Sequence, residues 1–154
     1  MARAHYKTPE AFTARGSIGY LVRRAAKLVT CRAEKVFDGR ELTLSQWIAL
    51  ALVGEKLAVT PSAVACQLDH NTGATTRMLD QMEAQGLLTR TRDAEDRRVV
   101  TLGVTEEGQT ALAALRPLMA NNWNEALEGF EPAEIETLTN LLTRLVARLE
   151  ELRG

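Results

Sequence analysis

Between Thr60 and Val104 the hydrophobic period of the chain switches from helical to alternating, and capping residues mark each change. Thr60 followed by Pro61 is a cap with proline at the first helical position, and it opens a short helix ending at Leu68. Asn71 caps a second helix from Thr72 to about Gln85, which Gly86 closes. Leu87 to Arg92 and Arg98 to Val104 then read as strands. In the second, Val100, Leu102 and Val104 alternate with Val99, Thr101 and Gly103. Asp93, Ala94, Glu95, Asp96 and Arg97 make a charged hairpin tip. Two helices joined by a tight turn and followed by a hairpin form the order of a winged helix-turn-helix. The expected fold is mainly α, with a small two- to three-stranded β wing.

The flanks are helical. Ile18, Leu21, Val22, Ala25, Leu28 and Val29 recur at helical spacing over Ser17 to Phe37, with Ser17 as cap and Asp38-Gly39 as terminator. Thr43 or Ser45 caps a helix bearing Trp47, Ile48, Leu50, Ala51 and Leu52, which stops near Gly54. Thr105 caps a long helix with Glu106 and Glu107 in its first turn and Pro117 as an expected kink. Pro132 opens a last helix to about Leu152. There Ile135, Leu138, Leu142, Leu145, Leu149 and Leu152 are separated by steps of three and four, a heptad-like seam. Little chain remains to cover that seam, so packing between subunits is expected. The organisation expected is a helical dimerisation region over 11–40 and 106–154, around a winged helix over 41–105.

Composition excludes several classes. At 154 residues, with 45% hydrophobic and 25% charged residues, the chain has material for a core and is not disordered. No apolar run approaches a membrane span and the first residues show no signal-peptide core, so a cytoplasmic location and no membrane partner are expected. Cys31 and Cys66 are too few and too scattered for a disulfide framework or a zinc cluster. With only His5 and His70, and no phosphate loop, nucleophile elbow or HExxH pattern, neither an enzyme nor a cofactor or metal is expected.

The net charge of −1 announces no bulk attraction to nucleic acid. Its distribution is uneven: residues 1–40 carry nine Lys or Arg against three acids, whereas the tail from Asn124 carries seven Glu against three Arg. Contact with DNA therefore rests on local clusters. The turn Asp69-His70-Asn71 would present Thr72, Gly73, Thr75, Thr76 and Arg77 on the exposed face of the second helix, with Met78, Leu79 and Met82 inward. Small residues at a helix start let the backbone approach phosphate, and Arg77 can reach a phosphate or a guanine edge. Such a start is by itself only a cap. In the hairpin, Arg90, Arg92, Arg97 and Arg98 stand beside Asp93, Glu95 and Asp96, and a solvated charged turn is the plain alternative. An Asp96 that pairs with an arginine would aim it at a narrow minor groove.

The stretch Arg90 to Gly108, RTRDAEDRRVVTLGVTEEG, resembles the wing signature and following helix start of the MarR (multiple-antibiotic-resistance regulator) family of transcription factors. Gly19-Tyr20-Leu21, Gln46-Trp47, Thr75 to Asp80 and Gly86-Leu87 are similar as well. Ala94 stands in place of a common proline and Val104 of a common leucine. His70 and Thr75 also depart from the frequent residues, so no base preference transfers. The resemblance implies a homodimeric repressor on a palindromic double-stranded operator, with Arg98 and Arg97 at the wing tip and Asp96 in support. It also implies release by a small aromatic acid, for which Tyr20, Arg23 and Trp47 are the candidates, since an aromatic anion needs a stacking surface and a guanidinium. Some relatives sense oxidants through cysteine; here Cys31 and Cys66 read as buried, inert thiols. The competing functions are a winged-helix protein-interaction module and a cysteine-based redox regulator.

Overall fold

The computed structural model describes residues 6, 8, 12–13, 15–92 and 99–153. They form α1 (Ile18–Val36), α2 (Leu44–Gly54), α3 (Pro61–Gln67), α4 (Thr72–Ala84), β1 (Leu88–Arg92), β2 (Val100–Val104), α5 (Glu106–Ala126) and α6 (Pro132–Arg153). The caps are those the sequence offers. Ser17 Oγ accepts from the Tyr20 amide at 3.3 Å, Thr60 Oγ1 from Ala63 at 3.2 Å and Asn71 Oδ1 from Ala74 at 2.8 Å. Thr43 rather than Ser45 caps α2, through a reciprocal box: Gln46 N–H donates to Thr43 Oγ1 and Thr43 N–H to Gln46 Oε1. Each bond satisfies an amide that the helix itself leaves without an acceptor. Gly39 and Gly86 leave α1 and α4 with φ of +70° and +72°, backbone that favours glycine.

β1 and β2 pair antiparallel, from Leu88 opposite Val104 to Arg92 opposite Val100. The sheet has two strands, at the lower end of the expected range. The segment between α2 and α3 reaches it through the bond from Leu102 N–H to the Val59 carbonyl at 2.8 Å. The alternation in β2 is real: Leu102 is buried while Thr101 is exposed.

Contacts divide the chain into two compact units, Met1–Met119 and Ala120–Gly154. In the first, Leu50 (α2), Val64 (α3), Leu79 and Met82 (α4) and Leu88 (β1) are fully enclosed. Ala33 and Phe37 at the end of α1, and Leu112, Leu115 and Met119 of α5, complete the same core. The core therefore takes in residues from both sides of the 41–105 boundaries. Gly108 allows α5 to seat on the hairpin: a Cβ there would stand 2.0 Å from the Leu87 carbonyl oxygen. Thr105 Oγ1 ties the same corner, donating to the Gly86 carbonyl at 2.6 Å and accepting from Gly108 N–H at 3.0 Å. Helix α5 continues through Pro117 as one element.

The second unit holds the end of α5 and all of α6. Gly129, with φ of +87°, turns the chain, and Glu131 N–H donates to Glu134 Oε2 at 3.0 Å as α6 begins. Of the seam, Ile135 and Leu145 are half-buried, while Leu138, Leu142, Leu149 and Leu152 are exposed, as are Leu141 and Val146 beside them. Among the described residues no helix is long and apolar enough to cross a membrane.

Candidate nucleic-acid interface

The turn that sets α4 against α3 is built at Asp69, whose φ of +52° reverses the chain, and at His70, whose N–H donates to the Ala65 carbonyl at 3.1 Å. Asn71 then caps α4, so that Thr72, Gly73, Thr76 and Arg77 lie exposed along one face. Leu79 and Met82 on the opposite face are fully buried, with Met78 half-buried beside them.

Thr75 does not join that face. It is 1% exposed, and its hydroxyl donates to the Asn71 carbonyl at 3.2 Å. Helical geometry explains the correction: Thr75 stands four residues before Leu79 and lies over the same core-facing row. Its hydroxyl is satisfied inside its own helix and is not presented to a ligand. Thr76, one step round the helix, is exposed, its hydroxyl donating to the Thr72 carbonyl at 2.9 Å.

In the hairpin, Asp96, Arg97 and Arg98 lie outside the described residues, with the rest of the tip at 93–98. The two described wing arginines differ. Arg92 is exposed. Arg90 turns back onto α4, where its Nη1 donates to Asp80 Oδ1 at 2.5 Å and to Glu83 Oε2 at 3.0 Å. Proximity of Arg90 to the wing in sequence gave no sign of this, although Asp80 and Glu83, three apart on α4, share the face that receives it. A groove of about 490 Å³ runs between the start of α3, α4 and the hairpin, lined by Pro61, Thr76, Glu83, Arg90, Arg92 and Val100.

The three residues expected to hold an aromatic acid are not brought together as a set. Tyr20 and Arg23 line an open cavity of about 370 Å³ on α1, with Arg24 and Lys27. Trp47 faces the core, with its ring 6.1 Å from that of Phe37 and its Nε1–H donating to the Leu112 carbonyl at 3.3 Å. Trp47 is half-buried, and its packing and its one donor are directed to the core. Cys31 and Cys66 are both exposed, contrary to the expectation of buried thiols. Cys31 follows the α1 face that the core leaves uncovered, and Cys66 lies next to Val64 and Ala65 in sequence but off the face they bury. Among the described residues no group of three His, Cys, Asp or Glu could hold a metal ion.

Comparison with known proteins agrees with this geometry. Residues 42–100 match the model of the MarR family, the segment from the α2 cap into β2. The chain is 35% identical over 89 residues to the organic hydroperoxide resistance transcriptional regulator of Bacillus subtilis (strain 168). That match covers 58% of this chain and 60% of the relative, so the chain spans three-fifths of the relative's length. A MarR-family regulator from Silicibacter pomeroyi shares the fold with a TM-score of 0.76 at 21% identity, over 92% of this chain and 95% of that one. Bordetella bronchiseptica BpsR, described as regulated in DNA binding by 6-hydroxynicotinic acid, superposes with a TM-score of 0.72 at 21% identity, over 88% and 96% of the two chains. S. aureus MepR, solved as a DNA complex, gives 0.66 at 19% identity, over 86% and 98%. Residues 42–100 of this chain are thus similar to the MarR family, and the fold around them is the one its solved members share.

Proposed function

We propose that the protein is a sequence-specific DNA-binding transcriptional regulator of the cytoplasm, acting as a homodimeric repressor on a palindromic operator. The observation that carries this reading is the face formed by Thr72, Gly73, Thr76 and Arg77, exposed on a helix whose other side is locked into the core. Such a helix can enter a major groove without disturbing the fold behind it. Asn71, as the cap, holds the first-turn amides toward phosphate. Arg92, with Asp96, Arg97 and Arg98 at the wing tip, supplies the flanking contact in the minor groove. MepR, which shares the fold, was solved on DNA.

Dimerisation is assigned to the helices of 11–40 and 106–154, chiefly the seam Ile135, Leu138, Leu142, Leu145, Leu149 and Leu152. Support comes from the exposure of four of those leucines, an arrangement that water disfavours and a second copy relieves. Two reading helices related by a dyad address half-sites about 34 Å apart on one face of the duplex. The test is selection of binding sites from the DNA upstream of the protein's own gene, followed by insertion of about half a helical turn between the half-sites. The spacer duplex should lose binding; unchanged affinity would refute the symmetric dimer.

Release by a small aromatic acid is assigned to Tyr20 and Arg23 on α1, without Trp47. It is supported by their shared cavity and by the response of BpsR to 6-hydroxynicotinic acid. Titrating salicylate against the DNA complex of the wild type and of Arg23→Ala should release the first at lower concentration; equal release removes Arg23 from the site. The exposure of Cys31 and Cys66 favours a second reading, a thiol response to peroxide, which the name of the Bacillus subtilis relative suggests. If that reading holds, an organic hydroperoxide should dissociate the wild-type complex and spare one of Cys31→Ser or Cys66→Ser.

A further inference from the structure

The three described arginines of α4 and the hairpin, Arg77, Arg90 and Arg92, differ in their surroundings. Arg77 and Arg92 are exposed, with no carboxylate in ion-pair range among the described residues. Arg90 has 23% of its side chain exposed, and one of its nitrogens is shared between Asp80 and Glu83 of α4. A guanidinium committed to two carboxylates brings little net positive charge to a phosphate, because the pair beside it outweighs its charge. Rather, it joins two elements. Arg90 sits in the middle of β1, directly opposite Leu102, while Asp80 and Glu83 occupy one face of α4 a turn apart.

The acids also have a cost in their place. Asp80 and Glu83 remain 54% and 42% exposed, and Glu83 lines the groove between α4 and the hairpin with Thr76 and Arg92. Unpaired, two carboxylates on the reading helix would repel a phosphate backbone drawn into that groove. When they pair with Arg90, part of their charge is offset and the hairpin is held at one angle to α4. β1 and β2 form a two-stranded ribbon, and such ribbons have little stability of their own, so each tie to a neighbouring element counts.

We propose that Arg90 is a positioning residue for DNA binding: it clamps the wing to the reading helix through Asp80 and Glu83 and makes no phosphate contact of its own. This rests on the DNA-binding reading above, and it separates Arg90 from Arg77, Arg92, Arg97 and Arg98. Lysine carries the same charge as a compact ammonium on an unbranched stem, without the planar guanidinium that sets the direction of Nη1, so lysine at this position restores charge but only part of the clamp.

The test uses the full chain, random-sequence duplex DNA and the variants Arg90→Gln, Arg90→Lys and Arg77→Gln. Affinity is measured across a salt series. Arg90→Gln should bind about tenfold more weakly with the salt slope of the wild type, whereas Arg77→Gln, if it meets phosphate, should flatten the slope by about 0.9. Arg90→Lys should recover part of the loss. Adding Asp80→Asn and Glu83→Gln to Arg90→Gln should cause no further loss and should recover some affinity, since the carboxylates left unpaired by Arg90→Gln no longer repel phosphate. A second readout needs no DNA: amide hydrogen exchange in β1 and β2 should speed up about tenfold in Arg90→Gln while α4 keeps its protection. A slope reduced as in Arg77→Gln would make Arg90 a phosphate contact and overturn the proposal. Unchanged exchange in the hairpin would overturn it equally, even if the wild type proved to bind no DNA, a result that would instead defeat the DNA-binding reading itself.

Discussion

The winged lobe and the last helix solve the burial of leucine in opposite ways. On α4, Leu79 and Met82 are completely enclosed, while on α6 Leu149 and Leu152 are 56% and 65% exposed. Both helices carry apolar residues at helical spacing, so pattern alone does not separate them. What differs is the neighbourhood. The lobe supplies α2, α3, the hairpin and the start of α5 around one core, and its reading face is left free of any structural duty. The Ala120–Gly154 unit has a single helix and the end of another, too little to cover a stripe of six residues. One region is complete in one chain, which suits the proposed DNA surface; the other leaves leucines in water, which the proposed dimer would relieve.

The sharpest way to break this contrast is to apply one chemical change to both regions. Leu79→Ala should destabilise the fold by about 2–5 kcal/mol, as expected for a large cavity in a closed core. Leu149→Ala should change subunit unfolding by no more than about 0.5 kcal/mol, because the side chain already meets water. Urea denaturation extrapolated to low protein concentration reads both numbers. Sedimentation should show the reverse order for assembly, with Leu142→Glu combined with Leu149→Glu giving monomers. Equal costs in the two regions would dissolve the distinction.

Within the lobe, Gly108→Val probes how tightly α5 seats on the hairpin. A side chain cannot enter 2.0 Å from the Leu87 carbonyl, so α5 must shift, at about 1–3 kcal/mol by thermal unfolding. On the outer surface, Arg98→Ala should weaken operator binding by about 1–3 kcal/mol with helical content unchanged, and Asp96→Ala should reproduce part of that loss. If both bind like the wild type, the wing tip is not a contact. The smallest effect belongs to the α2 cap, where Thr43→Ala opens the box with Gln46 and should cost about 1 kcal/mol in thermal stability without touching DNA affinity.

The features legible in the sequence are those fixed within a few residues of themselves. Ser17, Thr60, Asn71 and Thr105 accept from amides three positions on, and the glycines that end α1 and α4 take positive φ, so element order and limits follow from local chemistry. Side-chain direction was legible where period settles it, as for Leu102 inward and Thr76 outward. It was not legible where one step of 100° separates two like residues: Thr75 and Thr76 are the same side chain, and only packing against the lobe buries the first. The ion pairs of Arg90 were not legible for a related reason, since its partners lie on α4, seven and ten residues away. Trp47 found its acceptor 65 residues on, at Leu112, which no local pattern encodes. The exposure of Cys31 follows from the same limit, because the α1 sequence is amphipathic while the core in this chain covers only its last turns.

The lobe over residues 42–100 is proposed to bind duplex DNA through α4 and the wing. Affinity for random-sequence duplex DNA, measured against salt concentration, tests it most directly. Neutralising phosphates with Arg77, Arg92 and the wing-tip arginines releases counterions, so log K should fall linearly with log salt, by about 0.9 for each phosphate met. Several arginines from each of two subunits should give a steep negative slope. A flat line, or no binding at low salt, would contradict the account and leave the winged lobe as a surface for proteins.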